Sequence, residues 1–194
     1  MKNIKGFEGR EREARNIFCH NGFCYELIPE YGKFPAGFDY TMYSGGYCDA
    51  DDNLYLFSRD TDRPIVVLDA EGRYVRDFGK GLFKEVHSLC VTPNNTLLCT
   101  DTALHVVREL SIEGELIRDF GNLGVPSDSG YEKDVWRRMM REGKIVATDL
   151  AFDKGWSFWM SIQTIKRAAP PFNRPTGVAV GPQGDIFVSD GYGN

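Results

Sequence analysis

The sequence has no apolar run close to the roughly 20 residues that a membrane-spanning helix needs. Its first six residues lead into the charged segment 8–15 instead of the apolar core of a secretory signal. Positive charge is also scarce, because 23 Lys and Arg against 28 Asp and Glu give a net charge of −5. These absences argue against nucleic acid and membranes as partners, and they predict a cytoplasmic protein.

Histidine and cysteine are sparse as well, with three and five residues. An odd number of cysteines without a secretory signal predicts reduced thiols. Cys19 and His20, followed by Cys24, resemble half of a metal site. No second ligand pair follows at zinc-finger spacing, so local packing is the favoured interpretation of these three residues.

The sequence does have a repeat. Residues 53–79 read NLYLFSRDTDRPIVVLDAEGRYVRDFG, and residues 95–121 read NTLLCTDTALHVVRELSIEGELIRDFG. They align without a gap at an offset of 42 residues, which brings Gly79 onto Gly121. A third copy begins at Thr176, and Asp190 aligns with Asp101 at an offset of 89 residues. Units of four strands at this period predict an all-β protein, a β-propeller, and exclude helical solenoids.

The repeat divides the chain into two parts. Residues 1–38 form an N-terminal lead-in or strand region, and residues 39–194 form a partial β-propeller. The repeats lie at about 39–79, 80–121 and 169–194, with an insertion at about 123–168. Within this insertion residues 135–141 look helical and residues 156–160 are aromatic. Two interpretations remain open: the insertion closes over a site, or its aromatic residues pack on the side of the propeller.

A two-residue turn at Asn94 and Asn95 would place Cys90 directly opposite Cys99 in the second repeat. The same register would pair Ala179 with Val188 in the third repeat. Because the equivalent pair in the third repeat is apolar, the sequence predicts that the thiols of Cys90 and Cys99 fill the core instead of forming a disulfide.

The open end of each repeat's first hairpin carries polar residues. Because neighbouring strands run in opposite directions, the start of one and the end of the next lie on one propeller face. Five side chains are therefore predicted at one mouth of the central channel: Arg59, His87, Asp101, Asp190 and Tyr192.

These residue types have chemical uses. Histidine ligates metals, arginine clamps a carboxylate, and a tyrosine beside a cation can act as a base. Structural roles compete with these uses. Asp101 and Asp190 are favoured to bond backbone amides, and His105 is favoured as a structural or supporting residue. His87 could also be structural, and Arg59 could form a surface ion pair with Asp60 or Asp62.

The three copies resemble NHL repeats. Residues 170–180 (PPFNRPTGVAV) and 187–194 (FVSDGYGN) resemble more narrowly the peptidyl-α-hydroxyglycine α-amidating lyases, which are six-bladed propellers. Residues 57–60 (FSRD), 85–89 (EVHSL) and 100–105 (TDTALH) are similar to further segments of that family. The resemblance covers about residues 39–121 and 166–194.

The resemblance implies a carbon–nitrogen lyase that splits a C-terminal α-hydroxyglycine into a peptide amide and glyoxylate. It implies that His87 ligates zinc, which would act as a Lewis acid, and that Tyr192 takes the substrate hydroxyl proton. Arg59 would hold the substrate carboxylate or the developing alkoxide. The Leu89 carbonyl would contribute to a structural calcium.

The sequence departs from that family in two ways. Val86 and Ser88 flank His87, where the family has Pro and Gly, and two further zinc histidines are missing. We therefore interpret the sequence as an incomplete ring of about three to four blades, part of a longer lyase-like protein and inactive by itself. The alternatives are a non-catalytic NHL-repeat propeller that binds a peptide or other small molecule, and a half-propeller closed by self-association.

Overall fold

The computed structural model describes residues 16–39, 42–146 and 154–194. The following strands lie in these ranges: β1 (Ile17–His20), β2 (Phe23–Glu26), β3 (Tyr43–Cys48), β4 (Leu54–Ser58), β5 (Ile65–Leu68), β6 (Tyr74–Phe78), β7 (Val86–Val91), β8 (Thr96–Asp101), β9 (Val106–Ser111), β10 (Leu116–Gly121), β11 (Gly177–Val180) and β12 (Ile186–Ser189). The helices are α1 (Val135–Arg141) and α2 (Lys154–Ile162). In the described part of the chain no helix is long and apolar enough to cross a membrane.

The strands form blades. Blade 1 is an antiparallel sheet in the order β3-β4-β5-β6, blade 2 contains β7 to β10 in sequence order, and blade 3 contains β11 and β12. The first strands of successive blades are neighbours, since β3 packs against β7 and β7 against β11. This arrangement confirms the predicted fold class, an all-β propeller that forms an incomplete ring in this chain.

Apolar side chains fill the spaces between the blades. Leu97 and Cys99, on one face of blade 2, are fully buried against Phe57 and Ile65 of blade 1. The opposite face of blade 2 carries Leu98, which packs in a second cluster with Val178 of blade 3. Successive residues of a strand point to opposite faces of its sheet. The uninterrupted apolar run of β8 therefore serves both neighbouring blades.

Five hairpins share one kind of turn, at residues 49–53, 69–73, 92–96, 111–115 and 181–185. In each turn the first residue's amide donates to the fifth residue's carbonyl, and the fourth residue's amide donates back to the first. The fourth residue has a positive φ, as for Asn95 (59°), Gly72 (77°) and Gly184 (88°). Glycine and asparagine tolerate this left-handed conformation.

This turn has three residues between the strands, so the predicted two-residue turn at Asn94 and Asn95 is wrong. Leu89 pairs with Cys99, and Cys90 pairs with Leu98. A shift of one residue moves a side chain to the other face of the sheet. Cys90 and Cys99 therefore point to opposite faces and are free thiols. Both are buried, as predicted, and burial raises the pKa of Cys90 to about 11.

Blade 3 shows the same register shift. Val178 pairs with Val188, and Ala179 pairs with Phe187. The prediction that Ala179 lies opposite Val188 is wrong for the same physical reason, because Gly184 adds a third residue to the turn.

The prediction that all thiols are reduced is wrong for the N-terminal hairpin, which contains a disulfide. Asn21 and Gly22, both with positive φ, make the two-residue turn between β1 and β2. That turn sets Cys19 opposite Cys24, with their Cα atoms 4.1 Å apart, and the two form a disulfide. An Asn-Gly pair favours this tight hairpin. The disulfide uses both thiols of the possible metal half-site with His20.

The lead-in also contacts blade 1. Lys33 forms a parallel bridge with Arg73, and the Tyr31 hydroxyl donates to the Ala70 carbonyl at 2.7 Å. A Cβ atom on Gly72 would lie only 2.1 Å from the Tyr31 carbonyl oxygen. Glycine is therefore required at this turn for close approach as well as for its positive φ.

We predict that Gly72→Ala destabilises the fold more than Gly184→Ala. Both glycines occupy the fourth position of the shared turn, but nothing lies within 4 Å of a Cβ on Gly184. Gly184→Ala should cost only the left-handed strain of about 1 kcal/mol, and Gly72→Ala at least about twice that. Urea unfolding of both variants checks this, and equal losses would show that Tyr31 does not approach the turn.

Candidate functional site

Asp101, at the end of β8, is fully buried. Its carboxylate accepts hydrogen bonds from the amides of Lys84 (2.6 Å) and Glu85 (3.2 Å) in the loop before β7. It also accepts from the amides of Ala103 and Leu104, both at 2.9 Å, in the loop after β8. Asp101 thus has a structural role, since it bonds backbone amides and thereby fixes the loops before β7 and after β8.

Asp190 plays the corresponding part in blade 3. Its Oδ2 accepts from the Asn173 amide at 2.6 Å and from Asn194 Nδ2 at 2.7 Å. Asn173 stands 89 residues after Lys84, so the same repeat position supplies the donor in both blades. The two aspartates therefore fix the loops that precede the first strands of blades 2 and 3.

His87 and Tyr192 meet between blades 2 and 3. His87 Nε2 lies 2.8 Å from the Tyr192 hydroxyl, at hydrogen-bond distance, and the rings meet edge to face at 5.2 Å. The Phe158 ring of α2 packs edge to face on Tyr192, also at 5.2 Å. The Arg174 guanidinium lies 5.7 Å from the centre of the Tyr192 ring, within the range of a cation–π contact.

A cavity of about 510 Å³, here called the site cavity, opens beside this pair. The blades contribute Arg59, Glu85, Arg174 and Tyr192 to its wall. The insertion contributes Tyr131, Lys133 and Phe158, among others. The insertion therefore forms part of the wall of the site cavity.

The structure brings Arg59 and Tyr192 to the same cavity. The possible surface ion pairs of Arg59 do not form, because Asp60 pairs with Arg63 at 3.1 Å and Asp62 with Lys80 at 3.0 Å. These contacts leave the Arg59 side chain on the wall of the cavity.

An ion pair that the sequence analysis missed crosses the site. Arg174 Nη2 lies 3.1 Å from both carboxylate oxygens of Glu85, and the Arg174 side chain is only 10% exposed. Burial alone would raise the pKa of Glu85, but the charges of Arg174 and Lys133 and the Thr102 hydroxyl lower it. Glu85 and Arg174 occupy one repeat position at the offset of 89 residues. Their opposite charges were the signal that could have revealed them.

His105 supports the site from a second cavity of about 230 Å³, which also borders Tyr131, Lys133 and Arg174. Its Nδ1 accepts the Arg174 amide at 3.2 Å. Burial and then the Arg174 charge lower the pKa of His105, so its imidazole is neutral near pH 7. These contacts give His105 a supporting position behind Arg174.

The sequence resemblance also predicts zinc at His87 and calcium at the Leu89 carbonyl. Within residues 16–39, 42–146 and 154–194, no three His, Cys, Asp or Glu side chains converge as a metal site would require. The Leu89 side chain is buried in the core between blades 1 and 2. Zinc at His87 and calcium at the Leu89 carbonyl stay predictions.

Comparison with known proteins supports the repeat. The family model described as NHL repeat matches residues 172–194, which include β11, β12 and Tyr192. No curated protein sequence matches the chain.

Solved structures with a similar fold include a virginiamycin B lyase from Staphylococcus aureus, at 13% identity and a TM-score of 0.45. That match covers 77% of this chain and 35% of the other. A streptogramin B lyase matches at 15% identity and a TM-score of 0.40, covering 76% and 48% of the two chains. This chain thus spans between a third and a half of those proteins, and their activities are stated for those proteins alone.

We predict that Glu85→Gln destabilises the protein in a pH-dependent way. Because the folded-state pKa of Glu85 lies below its usual value of 4.5, the pair stabilises the fold above that pH. The contribution is lost as the pH falls through the folded-state pKa. Solvent screens the pair, since the Glu85 side chain is 37% exposed. The expected loss in unfolding free energy at pH 7 is therefore about 1 kcal/mol.

Unfolding of wild type and variant, measured from pH 7 to well below pH 4.5, checks this. Glu71→Gln is the control, because Glu71 forms an exposed pair with Arg73 and should contribute little. A Glu85→Gln effect that stays constant over the whole pH range would contradict the ion pair.

Proposed function

We propose that the complete NHL-repeat propeller, and not this incomplete ring by itself, acts as a lyase on peptides that end in α-hydroxyglycine and releases a peptide amide and glyoxylate. The observation that carries the proposal is the convergence of Arg59 and Tyr192 on one cavity, with Tyr192 hydrogen-bonded to His87. The sequence resemblance supplies the reaction, and the geometry offers a cation and a base for it.

Arg59 is suited to the substrate carboxylate. A guanidinium can bind both carboxylate oxygens at once, which fixes the orientation of the terminal residue. With the carboxylate held there, the neighbouring carbon and its hydroxyl would face the Tyr192 side of the cavity. Arg59 would also stabilise negative charge that develops on the hydroxyl oxygen.

Tyr192 is suited to the proton transfer. With the phenol proton on His87 Nε2, 2.8 Å away, the Tyr192 oxygen can take the substrate hydroxyl proton. The new alkoxide forms the aldehyde C=O of glyoxylate while the carbon–nitrogen bond breaks. The departing amide nitrogen then takes the proton from Tyr192. The His87–Tyr192 pair returns to its starting state, and no proton is gained or lost.

The insertion would keep water from this step. Phe158 covers the edge of the Tyr192 ring, and Arg174 lies near its face. Electrostatic interactions are stronger where water is excluded, so both Arg59 and the His87–Tyr192 pair would act more strongly under this cover.

The resemblance implies zinc on His87, but the described residues alone do not make up a zinc site. His87 Nε2 is engaged with the Tyr192 hydroxyl, and a metal on that nitrogen would have to displace it. The steps above therefore use no metal.

The same hydrogen bond favours the second candidate, a non-catalytic propeller that binds a peptide or another small molecule at this cavity. In that case the His87–Tyr192 pair would have a structural role, and Arg59 would bind a carboxylate without turnover.

We predict that Tyr192→Phe lowers glyoxylate release from an acyl-α-hydroxyglycine at least about 100-fold, because the base is lost. Arg59→Ala should raise KM and also lower kcat, because Arg59 would bind the carboxylate and stabilise the charge that develops on the hydroxyl oxygen. Tyr74→Phe is the matched control, since the Tyr74 hydroxyl bonds Asp77 at 2.6 Å in β6 and does not face the site cavity. Steady-state kinetics of the intact protein, with zinc content measured in parallel, supply the comparison.

Binding of the peptide without any release of glyoxylate would reject the lyase and support the binding propeller. Equal activity of wild type and Tyr192→Phe would reject Tyr192 as the base even if glyoxylate is formed.

A further inference from the structure

The insertion is fixed to the loops that carry the site. Asn173 Nδ2 donates to the Ser127 carbonyl at 3.0 Å and to Ser129 Oγ at 3.2 Å. The Ser129 hydroxyl donates in turn to the Gly193 carbonyl, next to Tyr192. Ser129 and Asn173 are buried, so these hydrogen bonds are shielded from water. The chain leaving Ser129 therefore enters the site cavity at a defined place, and Lys133 follows four residues later.

Only some of the charged side chains on the wall of the site cavity form ion pairs. Arg174 is paired with Glu85 at 3.1 Å, and Asp134 lies 3.8 Å from Arg137. Among the described residues no ion pair is formed by the other two cations of the wall, Arg59 and Lys133. One cation comes from blade 1 and the other from the insertion. The wall therefore offers two separate positions for anionic groups.

Lys133 stands where two cavities meet. It lines the site cavity and also the second cavity beside His105, together with Tyr131 and Arg174. Its charge reaches both sides, because it lowers the pKa of Glu85 and contributes to lowering that of His105. The two cavities therefore share a wall that contains Tyr131 and Arg174 as well as the cation of Lys133.

We propose that Lys133 forms a second carboxylate subsite, which selects peptides with an acidic residue directly before the α-hydroxyglycine. The inference rests on the proposed function, in which Arg59 holds the terminal carboxylate. Lys133 then binds the side-chain carboxylate of the preceding Asp or Glu. Burial raises the pKa of Tyr131, so its phenol stays protonated and can donate a second hydrogen bond to that group.

The subsite also gives the insertion a role in the site cavity. A blade alone presents Arg59 and Tyr192, which recognise only the terminal residue that all substrates of this reaction share. Lys133 and Tyr131 come from the insertion and line both cavities, where they would contact the neighbouring residue of the peptide. Selectivity among peptides would therefore come from the insertion, and the chemistry from the blades.

We predict that the intact protein prefers N-acetyl-Glu-α-hydroxyglycine over the Gln peptide by about tenfold in kcat/KM, the scale of one charge-assisted hydrogen bond. Lys133→Ala should remove this preference, and Lys133→Glu should favour a Lys peptide instead. Lys144→Ala is the control, because Lys144 belongs to the insertion but pairs with Glu142 at 2.8 Å and does not line either cavity.

Calorimetric binding of N-acetyl-Glu-Gly and N-acetyl-Gln-Gly, which cannot react, separates this inference from the lyase proposal. A Glu preference that depends on Lys133 without any glyoxylate release supports the subsite and rejects the lyase. Glyoxylate release with equal use of Glu and Gln peptides, or a preference that survives Lys133→Ala, rejects the subsite alone. Absence of both binding and release rejects both.

Discussion

The buried carboxylates of Asp101 and Asp190 are the interaction on which the site depends. Each stands at the end of its blade's second strand and accepts hydrogen bonds from the loop before the first strand. A carboxylate that accepts several amide hydrogen bonds holds them strongly, because the bonds are charge-assisted. In blade 2 this fixes the loop that carries Glu85 and leads into His87 of β7, and in blade 3 the loops that carry Arg174 and Tyr192. The two aspartates therefore help to position these four residues in the site.

The repeat alone predicted the blades, because spacing and apolar runs are properties that a sequence displays directly. It did not predict the register within the hairpins. A two-residue and a three-residue turn both accept Asn94 and Asn95, and only the left-handed fourth residue of the actual turn decides between them. The one-residue error moved Cys90 to the opposite face of blade 2, yet the core stayed apolar because both faces of this sheet are buried.

At the site, strand direction was enough to bring Arg59, His87 and Tyr192 to one face. The path of the insertion was beyond prediction, because no repeat constrains it. Its two aromatic neighbours show the difficulty: Phe158 packs on Tyr192, whereas Trp159 is 61% exposed. Nothing in their residue types distinguishes them. The insertion is held by hydrogen bonds between distant segments, such as that of Asn173 with Ser127, which no local pattern encodes.

The contact between His87 and Tyr192 joins two blades and carries the proposed proton transfer, so it is the central claim. The most direct measurement is the nitrogen NMR spectrum of the imidazole side chains in wild type and Tyr192→Phe. Loss of the hydroxyl should move the Nε2 resonance of His87, because its hydrogen-bond partner at 2.8 Å disappears. A control variant, Tyr74→Phe, should leave it unchanged. An unaltered His87 resonance in Tyr192→Phe would contradict the account.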